Sequence, residues 1–184
     1  MSPRRAAFLD RDGTIIEDVN YIGRAEDVRL LPKAGDAIRL LNEHGVAVVI
    51  ITNQSGIARG LITPAGYESV RHRVDEGLAA NGAHVDATYH CPHYPDVTGP
   101  CECRKPGTLL YDRAIADLDL DASASMFAGD LPRDVLPADR YGGAAYLIRP
   151  ASAPPDDAAL HAGATIVSSL FEAVQRYLGC SDTA

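Results

Sequence analysis

Short apolar runs alternate along this chain with segments of helical period. Residues 6–9 form a continuous apolar run that ends at Asp10, and they read as a first strand. Leu31 and Pro32 then open a helix with Ala34, Ala37, Ile38 and Leu41 on one face, stopped at Gly45. Residues 46–51 are mostly β-branched, as a central parallel strand buried on both faces would be. Thr63 and Pro64 start the next helix, with Tyr67, Val70, Val74 and Leu78 in step and Gly82 just beyond. Residues 85–89 read as a strand, 109–118 as an amphipathic helix, and 125–128 as a short strand ending at Gly129 and Asp130. Asp134 is placed to cap a helix that tolerates Pro137 in its first turn. Strands follow at 144–148 and 165–167, and Ser169 with Glu172 forms a capping box for a last helix ending near Leu178. Residues 150–157 read as a surface loop. The alternation predicts an α/β fold in three layers, Rossmann-like, with a parallel sheet between helices on both faces. No repeat and no shift in composition marks a boundary, so residues 1–184 are expected to form a single domain.

Composition narrows the functional classes. The chain has 184 residues, 46% of them apolar, enough for one sizeable core. With 17 Lys and Arg against 25 Asp and Glu its net charge is −8, and no basic run suits it to nucleic acid or an anionic membrane. The longest apolar stretch, 46–51, is too short to cross a bilayer. Arg4 and Arg5 precede too few apolar residues to make a signal peptide. A soluble, cytoplasmic monomer is expected, with a small molecule as its partner.

Three predicted strands end in polar residues where a core strand would simply turn: Asp10-Arg11-Asp12-Gly13-Thr14, Thr52-Asn53-Gln54-Ser55, and Gly129-Asp130. Ligands of parallel α/β sheets bind beyond the carboxyl ends of the strands, so these groups should surround one crevice. Carboxylates gathered there repel unless a cation lies between them, and hard oxygen ligands suit Mg²⁺. Asp10 and Asp12 are two apart, so an extended backbone aims both the same way, and Gly13 permits a sharp exit. One carboxylate can then attack while the other handles the leaving-group proton. Thr52 can donate to a phosphate oxygen; Lys105 offers a point charge and Arg104 a forked donor. Singly, these blocks read as well as an acidic turn, a capping loop and solvated surface. Together they describe a site.

The cysteines carry a second signal. Cys91-x-His93 is followed after seven residues by Cys101-x-Cys103, so four ligands on two arms of a loop at 90–104 can converge tetrahedrally on Zn²⁺. His90 is the alternative to His93. A closed shell of four leaves no position for substrate, which predicts a structural metal. Pro92, Pro95, Gly99 and Pro100 should keep the loop free of regular structure. Cys180 and the other histidines lie in no motif.

Four blocks in this order, Asp10-x-Asp12-Gly13-Thr14, the strand-ending Thr52, Lys105, and Gly129-Asp130 followed by Asp134, resemble from Phe8 to about Ile148 the haloacid dehalogenase superfamily of aspartate-nucleophile phosphatases. The cysteine loop running into Arg104-Lys105-Pro106 is similar to a narrower branch that acts on heptose bisphosphates and histidinol phosphate. Residues 52–60 resemble its heptose side. The resemblance implies Asp10 as nucleophile and Asp12 as general acid and base. It implies Asp10, Asp130 and the backbone carbonyl of Asp12 as Mg²⁺ ligands, and Thr52 and Lys105 as holders of the phosphoryl group. Arg104 would contact the substrate, with Asn53, Gln54 and Ser55 beside it and Asp18, Val19, Asn20 and Tyr21 as a flap. Arg59, Arg104 and Arg133 would hold a second phosphate. The branch carries a Lys after Gly-Asp, where this chain has Leu131. The implied activity is removal of the terminal phosphate of a heptose bisphosphate through an aspartyl-phosphate. Histidinol-phosphate hydrolysis and non-catalytic phospho-ligand binding are the alternatives. The chain between Asp12 and the first helix is too short for a cap domain, so the site is expected open under the zinc loop and the flap.

Overall fold

Alternation inside the apolar runs decides the architecture. In β1 (Arg4–Leu9), Ala7 and Leu9 face one core while Ala6 and Phe8 face the other. In β2 (Ala47–Asn53), Val48 and Ile50 join the first core and Ala47, Val49 and Ile51 the second. A strand apolar on both faces must be covered on both, and helices do this. Helices α1 (Ala34–Glu43) and α3 (Pro64–Ala79) pack on the first face. The computed structural model describes residues 3–150 and 163–180, so the expected loop at 150–157 lies outside the described residues beyond Pro150.

After α2 (Ser55–Ala58) and α3 come β3 (Ala87–Cys91), α4 (Pro95–Thr98) and α5 (Leu109–Leu118). Next are β4 (Leu120–Gly129), α6 (Pro132–Val135), α7 (Pro137–Tyr141), β5 (Ala144–Ile148), β6 (Thr165–Val167) and α8 (Leu170–Leu178). Helix α8 joins α1 and α3, whereas α5, α6 and α7 cover the opposite face. The six strands run parallel in the order β3-β2-β1-β4-β5-β6. With β1 at the centre, chain order reverses between β1 and β4. Their carboxyl ends, Leu9 paired with Ala128, therefore open the crevice in which such sheets bind ligands. No helix among the described residues is long and apolar enough to cross a membrane.

The three-layer parallel sheet agrees with the sequence, and several boundaries do not. Strand β3 starts at Ala87 rather than 85, because Asp86 closes on Val48 and accepts its N–H at 2.8 Å. Strand β4 begins at Leu120, well before 125; its register shifts opposite Arg5 and Ala7, and Asp121 ties down Ser123 and Ala124 there. The cysteine loop is not free of regular structure, since Pro95 starts one helical turn, a position where its missing N–H costs nothing. Asp134 is not a helix cap. Leu131 occupies that position, and the Asp134 carboxylate, three residues on, accepts the Leu131 N–H at 3.0 Å. The single helix expected here is two, α7 beginning anew at Pro137.

No cap domain intervenes: the segment 10–33 holds a single 3₁₀ turn, Ala25–Asp27, before α1. It leaves β1 through a tight turn in which the Arg11 carbonyl accepts the N–H groups of Ile15 and Ile16 at 2.9 and 3.1 Å. Gly13 makes that turn with φ of 81°, and a Cβ there would fall 2.4 Å from Asp130 Oδ2. Gly13→Ala should therefore cost at least about 1 kcal/mol in urea unfolding and also push Asp130 out of place. The paired measurement is Mg²⁺ affinity, expected to fall. A variant with native stability and affinity would show that the turn has room.

Candidate active site

Four chain segments meet at the carboxyl ends of β1, β2 and β4. Asp10 follows β1, Thr52 is the last residue but one of β2, Asp130 follows β4, and Lys105 enters from the cysteine loop. Lys105 is brought there by paired bonds to Asn53: its N–H donates to Asn53 Oδ1 at 3.0 Å, and Asn53 Nδ2 donates to its carbonyl at 3.3 Å. The Lys105 side chain is buried, and its ammonium has three partners. Nζ lies 2.6 Å from Asp10 Oδ1, 2.6 Å from the Ile51 carbonyl and 2.7 Å from Asp134 Oδ1. Burial alone would make it a weaker cation, but the charges of Asp10 and Asp134 overcome that and hold it firmly protonated.

Oxygens of Asp10, Asp130 and Asp134 lie within 4.8 Å of one another. Three carboxylates around one ammonium leave a net excess of negative charge. Burial, reinforced by Asp134 and Asp12 and opposed by Lys105, pushes the Asp10 carboxyl up to about 7. Burial and then the charge of Asp134 push Asp130 up to about 6, with Arg133 pulling the other way. Asp130 Oδ1 is buried without a hydrogen-bond partner, so a hard donor is left over. The set fits a divalent cation such as Mg²⁺. Asp134, expected both as a helix cap and as part of the fourth block with Gly129 and Asp130, is the third acid of the cluster.

A cavity of about 270 Å³ opens above these acids. Asp10, Asp12, Asp18, Asn20, Tyr21, Thr52, Asn53, Gln54, Ser55 and Arg104 all line it; Val19, though on the flap, is not among its lining residues. Asp12 turns toward Arg11 and Gln54 rather than toward Lys105. The Gln54 amide also donates to Thr52 Oγ1 at 2.9 Å. Arg59, Arg104 and Arg133 share the cavity, and none forms an ion pair with a carboxylate among the described residues. Arg59 lies between the rings of Tyr21 and Tyr94, 5.1 and 5.0 Å from their centroids, and donates to the Tyr21 hydroxyl. The sequence reading missed Tyr94. It gave no signal beyond standing next to His93.

Cys91, His93, Cys101 and Cys103 converge behind the cavity. Their sulfur separations are 3.7, 3.6 and 3.0 Å, and His93 Nδ1 lies 3.2 Å from Cys103 Sγ and 3.8 Å from Cys91 Sγ. The edges of a tetrahedron around Zn²⁺ are about 3.8 Å, whereas a disulfide would need about 2 Å. Although burial works against it, hydrogen bonds from the Arg104 N–H and the neighbouring thiols bring the Cys101 thiol down to about 7, toward the ligating thiolate. His90 lies elsewhere, its ring tilted against that of Tyr67 with centroids 4.1 Å apart.

Comparison with known proteins agrees with this geometry. The family model Hydrolase_like, HAD-hydrolase-like, matches residues 102–173. A D-glycero-beta-D-manno-heptose-1,7-bisphosphate 7-phosphatase of Haemophilus ducreyi is 37% identical over 144 residues, 76% of this chain and 79% of that one. A D-glycero-alpha-D-manno-heptose-1,7-bisphosphate 7-phosphatase of Photorhabdus laumondii is 33% identical over 177 residues, 91% of this chain and 97% of the relative. Among solved structures, D,D-heptose 1,7-bisphosphate phosphatase from B. bronchiseptica, complexed with magnesium and phosphate, superposes with a TM-score of 0.81. It is 30% identical, covering 96% of this chain and 99% of that chain.

The raised carboxyls set a pH dependence for metal binding. Asp10 and Asp130 hold protons more tightly folded than unfolded, so without metal their contribution to stability is present below about pH 4 and is lost as pH rises to about 7. A divalent cation needs both ionised. Mg²⁺ should therefore raise Tm by several degrees at pH 8 and hardly at all at pH 5, followed by calorimetry. Equal shifts at both pH values would take these two residues out of the metal site.

Proposed function

The chain belongs to the HAD-like hydrolases, and from that premise we propose that it removes the 7-phosphate of D-glycero-D-manno-heptose 1,7-bisphosphate. The observation that carries this reading is the pairing of an acid cluster with three arginines that lack carboxylate partners, around one cavity. In a chain of net charge −8, guanidinium groups left without acids are sites for an anionic ligand. A substrate with one reacting and one anchoring phosphate satisfies both halves. Histidinol phosphate fits less well, since its ammonium would meet the same arginines.

In the proposed reaction Asp10 attacks the phosphorus and forms an aspartyl-phosphate. Asp12 gives its proton to the departing sugar oxygen, then takes one from the water that opens the intermediate. Thr52 donates to a phosphoryl oxygen, and Lys105 holds Asp10 as the attacking anion. Asp10, Asp130 and the backbone carbonyl of Asp12 would hold Mg²⁺, with Asp134 adjacent; when bound it neutralises charge on the phosphoryl oxygens. Arg59, Arg104 and Arg133 anchor the second phosphate and use its binding energy for orientation. Asp18, Val19, Asn20 and Tyr21 close over the sugar, with Asn53, Gln54 and Ser55 along its other side. Cys91, His93, Cys101 and Cys103 hold Zn²⁺ as a structural clamp on the loop. Residues 1–184 act as one phosphatase domain. Its four free thiols support a reducing, cytoplasmic setting.

The test compares kcat/KM for the heptose bisphosphate, the 7-monophosphate and histidinol phosphate, with Asp10→Asn as the inactive blank. The bisphosphate should lead by about ten- to a hundredfold, the worth of one charged hydrogen bond of about 1.5–3 kcal/mol. A preference for histidinol phosphate would sink the heptose reading and leave the phosphatase chemistry standing. No phosphate release from any ester, p-nitrophenyl phosphate included, would favour a binding protein.

Zinc is tested separately. Cys103 directly precedes Arg104, so opening the cluster should free both cations of the loop. Cys101→Ser should lower Tm and turnover together, and zinc-depleted protein should stay impaired after Mg²⁺ is added back. Full activity and an unchanged Tm in that protein would remove the structural role.

A further inference from the structure

Unlike Asp10, Asp12 is a cavity carboxylate that Lys105 does not touch. Its charged partner is the residue before it. Arg11 Nε and Nη2 donate to Asp12 Oδ1 at 3.1 and 3.0 Å, and Nη2 also reaches Oδ2 at 2.9 Å. From the other side, Gln54 Nε2 donates to Oδ2 at 2.8 Å. A guanidinium fork fixes the plane of a carboxyl group as well as its distance.

Arg11 is itself held in place. It is only 2% exposed, and its guanidinium carbon lies 5.8 Å from the centroid of the Tyr67 ring. Tyr67 is buried and packs against the tilted ring of His90, 4.1 Å between centroids. The Arg11 carbonyl accepts from Ile15 and Ile16, which fixes the backbone from which both side chains leave. A buried guanidinium is costly, and an apolar side chain would fill this space more cheaply. Its Nη1 has no hydrogen-bond partner, so the gain from burying it is concentrated in the grip on Asp12.

We propose that Arg11 is a positioning residue for the leaving-group proton transfer: its fork and the Gln54 amide set the angle at which Asp12 meets the ester oxygen. The inference rests on the reading of Asp12 as the acid and base of the reaction. In that step the bond from Asp10 to phosphorus forms while the phosphorus–oxygen ester bond breaks. The ester oxygen keeps the bonding pair and takes the proton of the Asp12 carboxyl. A neutral alcohol departs, and Asp12 remains as carboxylate. A sugar alkoxide is too basic to leave without that proton, whereas p-nitrophenolate leaves without it.

The experiment compares kcat/KM on the preferred sugar phosphate and on p-nitrophenyl phosphate in the wild type, Asp12→Asn, Arg11→Met and Arg11→Lys. Asp12→Asn should lose about a hundredfold or more on the sugar phosphate and less than about tenfold on the aryl ester. Equal losses there would overturn the role of Asp12 and this inference with it. Given that pattern, Arg11→Met should repeat it, losing about ten- to a hundredfold on the sugar phosphate alone. Arg11→Lys keeps the charge and lacks the fork, so it should repeat the selective loss rather than rescue it. Equal losses on both substrates in the Arg11 variants mean a merely structural pair, and full activity in Arg11→Lys means charge without geometry; either overturns the proposal. Arg11→Lys decides the matter if Arg11→Met does not fold.

Discussion

A buried ammonium between two buried carboxylates is what the rest of this protein is arranged around. Lys105 lies 2.6 Å from Asp10 and 2.7 Å from Asp134, with its third proton on the Ile51 carbonyl. Each of these ions costs several kcal/mol to desolvate, so the triad survives only if the three chain segments arrive together. The sheet order does this. It sets β1 beside β4, so that Asp10 and the loop carrying Asp130 and Asp134 share one rim, and β2 beside β1, so that Asn53 can dock the zinc loop. The triad is also unbalanced. With Asp130 counted, three carboxylates face one ammonium and leave two negative charges, the charge of one divalent cation.

That arrangement gives a physical reason for the Zn²⁺ proposed on the cysteine loop. The segment bearing Lys105 has one helical turn, Pro95–Thr98, and few backbone bonds to the sheet. Such a loop has little of its own to hold a buried cation at a fixed depth. The four ligands close it at its two ends, and Cys91, at the end of β3, anchors it to the sheet. Tyr94, next to His93, then packs against Arg59, which packs against Tyr21. The order of the cluster thus passes to the flap through stacked side chains.

What could be read from the sequence was whatever lies within a few residues of a strand end. Asp10, Asp12, Thr52 and Asp130 follow apolar runs, and the parallel sheet alone predicts that they share a rim. The cysteine spacing is equally local. Asp134 carried two readings, helix cap and member of the fourth block, because both use the same residue type; its contact with Lys105 decides between them. Arg11 was passed over because alternation turns it away from the crevice; its length lets the guanidinium fork back onto Asp12. The Tyr21, Arg59 and Tyr94 stack joins three loops, and no spacing along the chain encodes that. The early start of β4 has the same origin, a register shift set by pairing with β1 rather than by composition.

Position 131 shows how the cavity divides labour between charge and fit. The Leu131 N–H is committed to Asp134, and its side chain gives the cavity an apolar wall beside Asp130. Cationic help must come from Arg133, two residues on, in the first turn of α6. Arg133 is exposed and has no ion-pair partner among the described residues, so it must be ordered as substrate binds, at an entropic cost that a fixed side chain would not incur. An exposed cation of this kind strengthens the encounter with an anionic substrate more than it tightens the final complex. Without a cap domain to exclude water, the remaining selectivity falls on Arg104 and on Arg59, which stacking already holds in place. On the proposed function, the cavity would therefore select first for a second negative charge, and only then for the shape of the sugar that carries it.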